Sequence, residues 1–170
     1  MHRLWLATVA AFALTLPQPA GAQSNRSTVT AVARASVLKP LTLTGQQNLN
    51  FGTILLGRSN FGAAVVSISQ TGARSCPVQL TCSGAVSAAA YRVSGTNNQT
   101  VTITAPPVVL VNVNNPAQTL MLRLDAPASV SLPNSGNQGV QFGVGGSLTV
   151  SSATPDGTYA GTLEVTVNYN

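Results

Sequence analysis

Histidine, tryptophan and acidic side chains are almost missing from this chain. The single His (His2) and single Trp (Trp5) fall in the first five residues, and only Asp125, Asp156 and Glu164 carry a carboxylate. A Ser-His or Cys-His relay therefore has no histidine to work with beyond position 2. Glu164 sits in a strand-like run, Asp156 in a Pro-Asp-Gly turn and Asp125 at a strand end, an arrangement that offers no acid–base pair. The glycines Gly143, Gly145 and Gly146 precede Ser-Leu-Thr-Val, a strand rather than the helix that a phosphate-cradling loop opens, so they read as turn chemistry. An enzyme is not expected, nor are catalytic residues, a cofactor or a metal site.

Basic residues beyond position 22 are Arg26, Arg34, Lys39, Arg58, Arg74, Arg92 and Arg123, a net charge of +4 against the three acids. They are scattered, with few aromatics beside them to stack on bases, which argues against a nucleic-acid partner. Thr, Ser, Asn and Gln supply the polarity instead. Such uncharged faces suit strands that stack, pair or lie against a polysaccharide.

The start reads as an address. Met1-His2-Arg3 is short and basic, residues 4–16 are apolar almost throughout, Pro17 and Pro19 follow, and Ala20-Gly21-Ala22 gives the small-x-small cleavage pattern. That is the layout of a secretory signal peptide over residues 1–22, too short to span a membrane comfortably. The remaining 148 residues suffice for one domain with a real core.

Strand signals recur at short intervals with Gly, Asn and Pro between them: residues 28–37, 41–44, 48–54, 63–70, 88–95, 100–104, 108–113, 119–124, 147–152 and 159–169. Beyond the signal segment no stretch holds a 3.6-residue apolar period. Many short strands and polar turns predict an all-β, immunoglobulin-like sandwich. Cys76 and Cys82 are an even pair in an exported chain and suggest a disulfide. A straight strand would hold their Cα atoms roughly 20 Å apart, whereas a disulfide needs about 7 Å or less. Either residues 77–81 close into a bend, or these two thiols do not bond to each other.

Both ends alternate. In the last run Leu163, Val165, Val167 and Tyr169 share one face, with Glu164, Thr166 and Asn168 on the other. Near the start Val29, Ala31, Ala33, Ala35 and Val37 share a face of small apolar groups, set off from the body by Lys39-Pro40. Such a narrow stripe fits a groove between strands. It is equally what the first ordinary strand of a sandwich would show.

The final run resembles the C-terminal strand of chaperone–usher pilins: Gly157 is fourteenth from the end, apolar residues alternate, and Tyr169 is penultimate. Residues 28–37 are similar to the N-terminal donor strands of the alternate, coli-surface-antigen-like branch. Leu49-Asn-Phe51-Gly52, Gly145-Gly-Ser-Leu-Thr-Val150 and Gly157-Thr-Tyr-Ala-Gly161 resemble a bacterial fimbrial-type domain family of unknown function. The resemblance implies an incomplete sandwich over residues 40–170 and a donor-strand extension over 23–39. Val29, Ala31, Ala33, Ala35 and Val37 would then form the donor face. Gly157, Leu163, Val165, Val167 and Tyr169 would form the acceptor groove, which is also the chaperone-binding strand. It further implies neighbouring copies or other pilins, a periplasmic chaperone and an outer-membrane usher as partners, and a place in a fimbrium on a Gram-negative surface. The mid-chain cysteine pair departs from the long-range disulfide of the better-known pilins. A self-completing monomeric surface or coat protein, and an adhesin binding a surface glycan, remain the alternatives.

Overall fold

The computed structural model describes residues 26–57, 60–134 and 138–170. The signal segment lies outside the described residues. The chain divides into two units, Met1–Ala35 and Ser36–Asn170. Residues 26–35 of the first unit carry no regular secondary structure and are exposed. In the second unit residues 36–40 are likewise exposed and irregular. The sequence pattern predicts a strand over 28–37, and the structure shows none. A strand exists only through a hydrogen-bonded neighbour, and alternation specifies a face without supplying one.

The second unit is an all-β sandwich of antiparallel strands. In chain order these are β1 (Thr42–Gln47), β2 (Thr53–Leu56), β3 (Ala64–Ile68), β4 (Arg74–Ser75), β5 (Leu80–Ser83), β6 (Ala89–Ser94) and β7 (Gln99–Thr104). There follow β8 (Val108–Asn112), β9 (Thr119–Asp125), β10 (Ser129–Leu132), β11 (Val140–Val150), β12 (Tyr159–Ala160) and β13 (Thr166–Tyr169). An eight-stranded sheet runs β1-β6-β11-β9-β8-β12, with β3 on β11 and β4 on β3. Against it lie a three-stranded sheet, β10-β7-β13, and a two-stranded one, β2-β5.

Period-two alternation explains how these strands are oriented. In β3, Ala64, Val66 and Ile68 are buried while Val65 is exposed; in β9, Leu122 is buried between exposed Met121 and Arg123. Two cores result. One gathers Val66, Ile68, Leu80, Leu110, Leu122 and Leu148 from β3, β5, β8, β9 and β11. The other gathers Val93, Val101, Ile103, Leu132, Phe142 and Val144 from β6, β7, β10 and β11. Each fully buried Val, Ile or Leu contributes about 1.5–3 kcal/mol.

β11 serves both cores. Its first half, Val140 to Val144, pairs with β6; its second half pairs with β3 from Gly146 to Val150 and with β9 from Gly145 to Leu148. The glycines expected to form a turn lie inside this 11-residue strand. The reason is steric. A Cβ at Gly143 would collide with the carbonyl oxygen of Gln70, and one at Gly145 with that of Ile68. The end of β3 crosses over β11 there, and only a strand without side chains lets it through.

The C-terminal run, expected as one strand over 159–169, is two. β12 pairs with β8 and β13 with β7, so the chain changes sheets across residues 161–165. Gly161 permits the close approach, since a Cβ there would stand 2.8 Å from Leu110 Cδ2 and 3.1 Å from the Val109 carbonyl oxygen.

Gly145→Ala is expected to destabilise the fold by about 2 kcal/mol or more, because the obstructing atom is backbone and cannot swing aside. Urea unfolding of the variant beside the parent chain measures this; an unchanged midpoint would contradict the crossing described.

Candidate functional site

Two strands of the second core lie at sheet ends on the same side of the sandwich. β1 ends the large sheet, pairing only with β6, and β13 ends the three-stranded sheet, pairing only with β7. On the opposite side β10 lies against β11. The start of β1 and the end of β13 meet at Gly95, where an added Cβ would run into both the Tyr169 hydroxyl and Leu41 Cδ2. Leu41 and Leu43 of one edge, and Val165, Val167 and Tyr169 of the other, are partly buried and pack on the same core.

The outer edge of β13 carries backbone groups that no described strand uses. Asn170 N–H donates to the Thr100 carbonyl at 3.2 Å. Hydrogen-bonded and non-bonded pairs alternate along an antiparallel ladder. The pairs Asn168–Thr102 and Thr166–Thr104 therefore turn their amides toward β7, and Val167 and Tyr169 turn theirs to the open edge. The same two residues point their side chains at the core. An apolar face and a free peptide edge thus coincide on one four-residue strand.

Tyr169 also fixes the root of the N-terminal segment. Its hydroxyl donates to the Lys39 carbonyl at 2.7 Å and accepts from Thr96 N–H at 2.7 Å, while Lys39 N–H donates to Thr96 Oγ1 at 2.6 Å. These three bonds close a ring joining the entry to β1, the turn after β6 and the end of β13. Pro40 follows Lys39, and the body proper begins.

The structure brings Leu163, Val165, Val167 and Tyr169 onto one core, and it places Gly157 elsewhere. Gly157 precedes β12 with φ 142°, in a region that favours glycine, and packs against the Asn112 side chain. Asn112 is 2% exposed. Its Nδ2 donates to Gln118 Oε1 at 2.7 Å and to the Asp156 carbonyl at 3.0 Å, and its Oδ1 accepts from Asn114 N–H at 3.0 Å. Gly157 thereby allows the chain to close over a satisfied buried amide, which is what launches the C-terminal run. Val29, Ala31, Ala33, Ala35 and Val37 are all exposed, Val29 and Val37 at 91%.

Cys76 and Cys82 form a disulfide with Cα atoms 6.2 Å apart. The bend is a turn at Val78 and Gln79, where Leu80 N–H bonds to the Pro77 carbonyl at 3.0 Å. Arg74 braces it from below, donating to the carbonyls of Ser83 (2.9 Å), Cys82 (3.0 Å) and Phe51 (3.4 Å). The pair staples the turn between β4, which pairs with β3, and β5, which pairs with β2, remote from β13 in the pairing order. Neither Arg74 nor Asn112 was suggested by sequence pattern: a lone Arg between Ala and Ser, or an Asn after Val, looks like any surface residue until its carbonyl partners are known.

The chain belongs to the family described as Domain of unknown function (DUF4402), whose model matches residues 41–169. No curated protein and no solved structure matches it. The matched span begins at Leu41, beside the Lys39–Thr96–Tyr169 ring, and ends at Tyr169.

Tyr169→Phe removes the hydroxyl while keeping the ring. It is expected to cost about 1–2 kcal/mol, seen as a lower thermal midpoint; an unshifted midpoint would mean that the hydrogen-bonded ring contributes nothing.

Proposed function

We propose that this member of the DUF4402 family is a structural subunit of a surface fibre, assembled when the N-terminal segment of one copy adds as a strand to β13 of the next. The observation that carries the reading is the edge of β13, with the unpaired amides of Val167 and Tyr169 over an apolar face. An edge of this kind invites pairing. Strand addition supplies main-chain hydrogen bonds for affinity and alternate side-chain pockets for specificity.

The complementary part is in the same sequence. Val29, Ala31, Ala33, Ala35 and Val37 recur every second residue, so all five fall on one face of an added strand. On this reading the small donor face lies between Leu41 and Leu43 on one side and Val165 and Val167 on the other, all partly buried on the same core. Burying it would contribute on the order of 5–10 kcal/mol, the two valines giving most.

The tether at Lys39 favours donation to a neighbour over self-completion. Lys39 is bound beside Tyr169, the C-terminal end of β13. A copy's own segment laid along β13 would therefore run parallel to it. A segment from another copy is free to run antiparallel, and parallel ladders are slightly weaker per residue. On this reading the chain is exported, held by a periplasmic chaperone that covers β13, and polymerised at an outer-membrane usher. The resemblance to chaperone–usher pilins supports those partners.

The test is a comparison of the full exported chain with one lacking residues 23–37, by unheated gel electrophoresis in SDS. The full chain is expected to give a ladder of heat-labile oligomers and the shortened one a single species. If the full chain remains a stable monomer and the shortened one unfolds, the segment completes its own domain and the fibre reading fails.

A further inference from the structure

The registers of β4, β3, β11 and β9 line up four polar side chains. Ser75 stands opposite Ser67, Ser67 opposite Ser147, and Ser147 opposite Arg123. The alternate residues Val66, Ile68, Leu148 and Leu122 are buried, so this row faces outward across strands about 4.8 Å apart. It lines a shallow cleft of about 430 Å³ on the face of the large sheet. We propose that this cleft binds a carboxylate-bearing sugar, with Arg123 pairing the carboxylate and the serine row hydrogen-bonding the hydroxyls.

The charge distribution selects that ligand class. Arg74 borders the cleft, but its guanidinium is committed to the carbonyls of Phe51, Cys82 and Ser83. Arg123 is exposed and, among the described residues, its guanidinium makes no hydrogen bond or ion pair. Among the described residues lining the cleft it is the one cation free to meet an anion, and its planar fork suits a carboxylate. Two residues along the same face of β9 stands Asp125, held by Gln70 Nε2 at 3.1 Å from its Oδ1. A carboxylate accepts several hydrogen bonds, so Asp125 keeps capacity for ligand hydroxyls, its Cα about 7 Å along the strand from that of Arg123. A polyanion would set charge against Asp125. A ligand with one carboxylate and neighbouring hydroxyl donors, which is a uronic acid unit, satisfies both ends.

The site is separate from β13, and its occupation does not depend on strand donation. The experiment titrates the methyl glycoside of galacturonic acid, which carries one carboxylate, into the isotopically labelled full chain and follows backbone amide resonances. Saturable shifts confined to residues around Ser67, Arg123 and Ser147 are expected, weakening as salt is raised. Arg123→Gln should reduce affinity about 10-fold or more, and Arg123→Lys by less. Because Arg123 is exposed, resonances elsewhere in the variant should stay in place and report an intact fold. Three results overturn the proposal: no shifts at those residues, equal affinity of Arg123→Gln, or equal affinity for the neutral methyl galactoside.

Discussion

A strand has two hydrogen-bonding edges, and β11 spends both. Along Gly146 to Leu148 it is held between β3 and β9, and along Val140 to Val144 it pairs with β6. Val144 belongs to one core and Leu148 to the other, so a single strand carries the connection between the two halves of the sandwich. That connection depends on glycine. The end of β3 could not pass over a strand bearing side chains at positions 143 and 145. With β3 displaced, the first core would lose Val66 and Ile68, both essentially fully buried.

On one side of the second core β10 lies against β11, and on the opposite side β1 and β13 each end their sheets. The fold handles this side with side chains. Leu41, Leu43, Val165 and Val167 cover the core partially, and the Tyr169 hydroxyl ties Lys39 to Thr96. Side chains cover carbon, but they leave the amides of Val167 and Tyr169 without strand partners. Edge amides over apolar side chains are what strand addition uses, and on the proposed reading this is the side that receives the added strand. The serine row with Arg123 lies on the outer face of the other sheet, so a fibre joined through β13 could still present it.

Much of the architecture was legible in the residues. β9 carries clean alternation, and the expected spans of β3, β8 and β9 agree with the structure to within a residue or two. Elsewhere the same rule misled. The glycines of β11 resemble a turn, because composition does not distinguish a residue that bends the chain from one that makes room for another strand. The run from Tyr159 to Tyr169 alternates as if it were one strand, since alternation encodes a face and not a partner; the exchange from β8 to β7 is a tertiary fact. The pattern predicts no strand at β10, because Ser-Val-Ser-Leu is too short to show a period, nor at β4 and β5, which are short and flank the turn at Pro77. In residues 28–37 the stripe is plain but the neighbour is not written there. The cleft was illegible for a related reason: the Ser67–Ser75 pair, Arg123 and Ser147 come from three separate stretches of the sequence, and register alone aligns them.

The central claim is that the outer edge of β13 is an open acceptor in the single chain and is filled by another copy. Residue-resolved amide hydrogen exchange tests it most directly. In the monomer, Thr166 and Asn168, which face β7, should be protected, while Val167 and Tyr169 exchange rapidly; in the assembled form all four should be protected. Protection of Val167 and Tyr169 already in the monomer would contradict the account, because the edge would then be filled from within the same chain.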